Sequence, residues 1–275
     1  MLKYIPGSKK LTQIFYYKII SHFVKAEQWI KVHDALLLVN IFESIGAPQF
    51  FKGTYAMGRV NEIKTCVKKG DTVIDVGANV GYFTVLFAQL VGPLGKVYAF
   101  EPDPRNFNLL QQTIKRNGWT HVIAVQKAVF NKKDKLILYQ TKLASGNALK
   151  PGGHISSVEV DVIILDDYLA NESNISYVKM DTDGSEALAI QGMTQLIHKS
   201  QNINVLVEYQ PGNVKRYFDD PLDFITVAEK CGLKLTAVLD TDKGRLSNLD
   251  LDALKKIDDN ANLDLLFTIN GQLSW

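Results

Sequence analysis

One segment constrains this chain more than any other: Val73-Ile74-Asp75-Val76-Gly77-Ala78-Asn79-Val80-Gly81-Tyr82-Phe83-Thr84. It joins an apolar strand run to a helical pattern through a turn bracketed by two glycines. Such a turn lets a backbone approach a ligand closely while helix N–H groups point at it. Twenty residues after Gly81, the apolar run Val97-Tyr98-Ala99-Phe100 ends in Glu101. A carboxylate at that offset, ending the next strand, suits the hydroxyls of a nucleotide ribose. Together the two features predict a nucleoside cofactor.

The pattern around this segment alternates. Strands are expected over residues 73–76, 96–100, 121–129, 176–180 and 204–209, and helices over 82–91, 105–117, 185–199 and 221–231. Residues 135–140 and 157–165 read as antiparallel strands flanking a Gly/Ser/Pro-rich loop at 144–154. Residues 234–239 and 264–269 read as a closing strand pair. Strands and helices that alternate at these lengths predict an α/β fold, an open and mostly parallel sheet with helices on both faces. Ligands of such sheets bind beyond the carboxyl ends of the strands, where strand order reverses. Asp75, Glu101, Asp181 and Glu208 all fall at or near expected strand ends. Upstream, residues 11–45 carry helical periodicity and suggest a helical extension, a cap, a dimer surface or a membrane-surface helix. The run Ala35-Leu36-Leu37-Leu38-Val39 within it fits a strand or a buried helical turn.

Composition excludes several classes. With 275 residues and a net charge of +2 there is no broad electrostatic case for nucleic acid, and Lys68-Lys69 and Lys132-Lys133 read as solvated loop charges. No stretch approaches the roughly 18 unbroken apolar residues of a membrane span, and the N-terminus lacks the pattern of a signal peptide. Two cysteines, Cys66 and Cys231, offer neither metal spacing nor a disulfide framework, which fits a cytoplasmic setting.

The turn is not the dinucleotide fingerprint, because Asn79 stands where the second glycine of G-x-G-x-x-G would admit a pyrophosphate. Asp75-Val-Gly77-Ala-Asn79-Val-Gly81-Tyr82 followed by Phe100-Glu101-Pro102 resembles the S-adenosylmethionine site of the FkbM family of class I methyltransferases. Lys179-Met-Asp181-Thr-Asp183-Gly184-Ser-Glu186, then Gly192 and Val207-Glu208, resembles that family's second signature, with Asp183 where glutamate is usual. Gly53-Thr54-Tyr55-Ala56 is similar to its first motif, with Ala56 where an acidic residue is common. The resemblance implies a Rossmann-like seven-stranded class I methyltransferase sheet with an antiparallel closing strand over residues 61–275, behind an N-terminal helical extension over 1–60. It implies S-adenosylmethionine lined by Asp75, Gly77, Asn79 and Gly81, its ribose on Glu101, its adenine beside Ala128, and Asp181 near its methionine end or the acceptor.

Methyl transfer to a hydroxyl needs an in-line nucleophile about 3 Å from the methyl carbon and a base for its proton. Asp183, Glu208 and Asp181 are the nominees, with His154 in the glycine-rich loop behind them. Tyr55, Tyr82 and Tyr209 are candidate pocket borders. The family likeness suggests no required metal, although three carboxylates near strand ends could hold a divalent cation. The expected acceptor is a hydroxyl on a sugar, glycan or natural product, with no nucleic acid partner, and a homodimer could form through the N-terminal helices. A nicotinamide-dependent oxidoreductase and a non-catalytic cofactor-binding module are the rival readings.

Overall fold

The computed structural model describes residues 25–44, 46–141, 154–245 and 254–271. Two strands open it, β1 (Glu27–Val32) and β2 (Ala35–Asn40), followed by α1 (Ala47–Lys52) and α2 (Met57–Cys66). The alternating part runs β3 (Thr72–Val76), α3 (Tyr82–Val91), β4 (Lys96–Phe100), α4 (Pro104–Asn117), β5 (Val122–Val125). Next come β6 (Ala128–Val129), β7 (Asp134–Gln140), β8 (Ser156–Ile163), α5 (Leu165–Tyr168), β9 (Tyr177–Met180), α6 (Glu186–Gln191) and α7 (Thr194–Lys199). The chain continues through β10 (Asn204–Tyr209), α8 (Pro211–Val214), α9 (Asp223–Lys230), β11 (Lys234–Asp240), β12 (Gly244–Arg245) and β13 (Leu263–Thr268).

The central sheet has the order β12-β11-β13-β10-β9-β3-β4-β5. From β10 to β5 every pairing is parallel, whereas β13 is antiparallel to both β10 and β11. This is the expected Rossmann-like sheet with an antiparallel closing strand, extended at one edge by the two-residue β12. Strand side chains alternate between two cores. Ile74, Val76, Val205, Val207, Leu265 and Phe267 pack with α6, α7 and α9. Val73, Tyr177, Leu206 and Leu266 face the other way, onto α2 and α3. By the same parity Asp75, Lys179, Glu208 and Asp264 lie on that second face, so four charged side chains share one layer beneath α2 and α3.

Strand order reverses beside β3, because the chain leaves β3 for β4 and β5 on one side and returns to β9 and β10 on the other. The carboxyl ends of β3, β4, β9 and β10 therefore surround the crevice where ligands of such sheets bind.

Three expectations need correction. The helical periodicity over 11–45 does not give a helix in its described part. Residues 27–40 form an antiparallel hairpin, with Val32 opposite Ala35 across a two-residue turn, and residues 11–24 lie outside the described residues. The hairpin turn is His33-Asp34, both at positive φ (47° and 63°), a geometry more often signalled by Asn-Gly. Leu37, Leu38 and Val39 join the core formed with α2 and α3, so the described hairpin packs on the central sheet and is not a helical cap. Second, residues 121–129 are two strands: β5 ends the large sheet, while β6 pairs with β8 in a separate three-stranded sheet. Third, residues 185–199 break into α6 and α7 at Gly192. A Cβ on Gly192 would lie 2.2 Å from the Phe130 carbonyl oxygen, so the backbone there is in contact with the loop after β6. No described helix is long and apolar enough to cross a membrane.

Candidate active site

The turn after β3 is fixed from both sides. Gly77 N and Ala78 N donate to the Phe100 carbonyl at 3.0 Å, tying the turn to the end of β4. Gly77 has φ 72°, and a Cβ there would sit 1.9 Å from the Asp181 carbonyl oxygen at the end of β9. Asn79 occupies the left-handed region at φ 53°, which asparagine tolerates better than most side chains, and its Oδ1 accepts from Val80 N at 2.8 Å. The Glu101 carboxylate accepts from Asn79 N (2.7 Å) and from Asp103 N (2.9 Å), and Asn106 also bonds to it. Glu101 is 5 % exposed. Burial raises its pKa to about 7, and the two backbone donors only partly offset this.

These groups line a cavity of 390 Å³ together with Ala128, Leu138, Lys179, Asp181, Asp183, Glu208, Tyr55, Tyr82 and Phe83. The volume lies within the range of small-molecule and cofactor sites.

Beneath the cavity runs the charged layer on the α2/α3 face. Asp75 and Lys179 are register partners on β3 and β9, with Nζ 3.3 Å from Asp75 Oδ1. Lys179 also donates to the Gly77 carbonyl at 2.9 Å, and Thr84 Oγ1 donates to Asp75 Oδ2 at 2.6 Å. On the other side Arg59, from α2, donates to Asp264 through Nε (3.1 Å) and Nη2, and to Asp181 Oδ2 through Nη1 (2.9 Å). Its Nη2 lies 3.5 Å from Glu208 Oε1. Burial would raise the Asp181 carboxyl, but Lys179 and Arg59 outweigh it and hold that pKa at about 2. Burial and the charge of Asp181 push Glu208 well up.

Asp183 reaches the cavity from a strained turn. Its φ is 55° and that of Gly184 is 103°. Glu186 Oε1 accepts from Thr182 N (2.6 Å) and Gly184 N (3.3 Å), while Asn213 Nδ2 donates to Asp183 Oδ1 at 3.4 Å. Gly184 adopts its positive φ without penalty, whereas a non-glycine residue such as Asp183 in the left-handed region costs of order 1–3 kcal/mol, and strain of this kind gathers at functional sites. Burial, then the charges of Asp181 and Glu186, raise the Asp183 pKa to about 8.

Of the sequence-predicted residues, Gly77, Asn79, Glu101, Ala128, Asp181, Asp183 and Glu208 meet on this one cavity. Asp75 and Gly81 do not line it: Asp75 is fully buried on Thr84 and Lys179, and Gly81 starts α3 against Leu110. Tyr209 packs on Phe224 in the opposite core, and His154 is exposed against Tyr139. The sequence reading missed Arg59 and Asp264, and gave Lys179 no role. Among the described residues no His, Cys, Asp or Glu cluster is arranged for a metal, and the carboxylates of Asp181 and Glu208 face Arg59 instead.

This sheet order, with a carboxylate at the second strand end and a glycine turn at the first, defines a class I methyltransferase domain. The Methyltransferase FkbM domain model matches residues 75–235, and the chain belongs to that family, whose cofactor is S-adenosylmethionine. A second model, for protein-L-isoaspartate(D-aspartate) O-methyltransferase, matches residues 21–128. The chain is similar to the protein-L-isoaspartate O-methyltransferase of Aeropyrum pernix, 33% identical over 81 residues, covering 30% of this chain and 31% of the relative. It is also similar to the catalytic subunit of a tRNA (adenine(58)-N(1))-methyltransferase of Yarrowia lipolytica, 35% identical over 65 residues, covering 24% of this chain and 17% of the relative. The chain thus spans about a third or less of the length of these curated relatives. Among solved structures, Aeropyrum pernix fibrillarin with natively bound S-adenosylmethionine aligns at a TM-score of 0.47 and 12% identity, covering 89% of this chain and 83% of that one.

The residues present suit that cofactor: a buried carboxylate ends the second strand, and backbone amides of the first turn surround it. Glu101→Ala should weaken S-adenosylmethionine binding by about 1.5–3 kcal/mol, the range for a hydrogen bond to a charged group. Because the ionised form accepts better, wild-type affinity should strengthen as pH rises through about 7, and the variant should lose that dependence. Equilibrium binding measured on either side of that pH checks both.

Proposed function

We propose that this chain transfers a methyl group from S-adenosylmethionine to a hydroxyl oxygen on a sugar, glycan or natural-product acceptor, an FkbM-type O-methyltransferase, with Asp183 as general base. The observation that carries the base assignment is a half-buried carboxyl on the cavity wall whose pKa is raised to about 8. A base matched to near-neutral pH combines a useful ionised fraction with strong proton affinity. Asp181 is held too acidic for that task, and Glu208 is turned toward Arg59 and Asp181, so the three nominees divide by environment.

When bound, S-adenosylmethionine supplies a methyl group on a sulfonium that departs as a neutral thioether. Glu101 would bind the ribose hydroxyls, with the amides of Asn79 and Asp103 keeping its carboxylate in place. Lys179, bonded to the Gly77 carbonyl, holds the turn against β9. Arg59 and Lys179 bring two positive charges to the carboxyls of Asp75, Asp181, Glu208 and Asp264. Those cations keep the Asp181 carboxylate ionised at the cavity wall, and negative charge there favours a sulfonium. Asp183 would accept the hydroxyl proton as the oxygen–methyl bond forms. Tyr55, Tyr82 and Phe50 supply an aromatic wall suited to the apolar face of a ring.

A small-molecule or glycan acceptor is also supported by the surface. Lys127, Lys132, Lys133 and Lys135 each pair with a carboxylate, so the basic run around β7 offers little net field to a phosphate backbone. The buried free thiols of Cys66 and Cys231 accord with a cytoplasmic setting. Methyl transfer from labelled S-adenosylmethionine tests the reading against sugars, hydroxylated natural products, an isoaspartyl peptide and tRNA. The expected result is alkali-stable ether labelling of a hydroxylated small molecule or glycan. Labelling of the peptide or tRNA alone overturns the acceptor class, and cofactor binding with no transfer across the panel favours a non-catalytic module.

A further inference from the structure

Arg59 sits at the centre of a charge arrangement that strand register alone would make unfavourable. Glu208 and Asp264 are direct cross-strand partners on β10 and β13, with both side chains on the α2/α3 face. Asp181 continues the row at the end of β9, next to Glu208, since Val207 pairs with Met180. Like charges directly opposite each other in a sheet repel, and burial strengthens the repulsion.

The guanidinium resolves this with its planar fork. One edge, Nε and Nη2, takes both oxygens of Asp264, whose side chain is 0% exposed. The other edge reaches Asp181 and approaches Glu208, whose side chains keep 27% and 16% exposure on the cavity wall. Phe83 lies against the guanidinium, 5.4 Å from its ring centroid. Arg59 is therefore locked in the dry interior and bears on the cavity through the carboxyls of Asp181 and Glu208 that line it. A lysine ammonium, a single point charge on a flexible stem, lacks the geometry to serve both edges.

We propose that Arg59, anchored by Asp264, is a positioning residue for methyl transfer: it sets the carboxyls of Asp181 and Glu208 side by side on the cavity wall, next to Asp183. This rests on the methyltransferase reading for its catalytic consequence, though not for its structural one. Asp181 is faced by Arg59 from α2, Lys179 from β9, Glu208 from β10, Asp264 from β13, Asp183 from the turn before α6, Glu186 from the first position of α6, and Tyr55 from the segment before α2. Arg59 and Lys179 are the cations in that set, and Arg59 is the one in hydrogen-bond contact with Asp181.

The test is the carboxyl ¹³C NMR titration of Asp181 in the full chain, with methyl-transfer kinetics beside it. Removing Arg59 alone would leave Asp264 buried and unpaired, so the informative variant is the double substitution Arg59→Met with Asp264→Asn, which removes both charges together. The Asp181 titration midpoint should rise by about one pH unit or more. The kcat should fall by about tenfold or more, with the Kd for S-adenosylmethionine within about threefold. Arg59→Lys, which keeps the charge, serves if the double variant does not fold, and it should lower kcat and shift its pH profile. An Asp181 midpoint moved by only a few tenths, with kcat and its pH profile unchanged and only Tm lowered, overturns the proposal. If wild-type protein transfers no methyl group, the functional reading fails alone, and the Asp181 titration still decides the role of Arg59.

Discussion

Asp183→Asn should lower kcat by about 10²–10⁴-fold, the usual contribution of a positioned general base, while the Kd for S-adenosylmethionine changes by less than about threefold. The substitution is nearly isosteric and keeps an acceptor for the Asn213 amide, so the turn at 182–184 should persist. In wild type, kcat/KM should rise with pH on a limb near 8, the ionisation of the free enzyme. The limb in kcat should lie lower, because a bound cation favours the ionised carboxylate. Stability gives an independent check of the same group. An unfolded chain releases the Asp183 proton near 3.8, whereas the folded chain keeps it to about 8. Across that window the native state binds more protons, so wild-type stability should decline as pH rises, and the variant should lose that part of the slope. Chemical denaturation across that window, beside pH–rate profiles, checks both signs.

Gly77→Ala should destabilise the fold by about 3 kcal/mol or more and reduce cofactor binding below detection. Two effects add at this position. Alanine at φ 72° is strained, and its Cβ would overlap the Asp181 carbonyl, 1.9 Å away. Neither backbone can yield easily, because Gly77 N is bonded to Phe100 and Asp181 N to Val76. Gly118→Ala provides the comparison: φ is 68°, but nothing lies within 4 Å of the added Cβ. That variant should lose only about 1 kcal/mol, from strain alone. Equal losses in the two would mean that the approach of the turn to β9 is not tight.

The parts of this site legible in the sequence are those within short reach of each other. Gly77, Asn79 and Glu101 are fixed by a strand, a turn and the next strand end, and chain connectivity over that distance nearly dictates their meeting. Arg59 and Asp264 stand 205 residues apart, and nothing local signals that α2 will place one over the other. Asp75 precedes the turn, which suggests a ligand contact, yet it is fully buried beneath Thr84 of α3 and register pairs it with Lys179, whose side chain lies between it and Asp181. The hairpin at 27–40 escaped for a different reason. Its turn residues, His33 and Asp34, adopt positive φ without glycine, so the usual punctuation is missing and a helical period fits the same apolar positions. The boundary between β5 and β6 is likewise tertiary: Gln126 and Lys127 separate two apolar pairs, and only β8 decides that the second leaves the large sheet.

The most direct test of the cofactor site is the crystal structure of the chain with S-adenosylhomocysteine. The account predicts the nucleoside in the 390 Å³ cavity, with its ribose hydroxyls within about 3 Å of the Glu101 carboxylate and its sulfur end toward Asp181 and Asp183. A ligand bound elsewhere, or a ribose out of hydrogen-bond reach of Glu101, would contradict it.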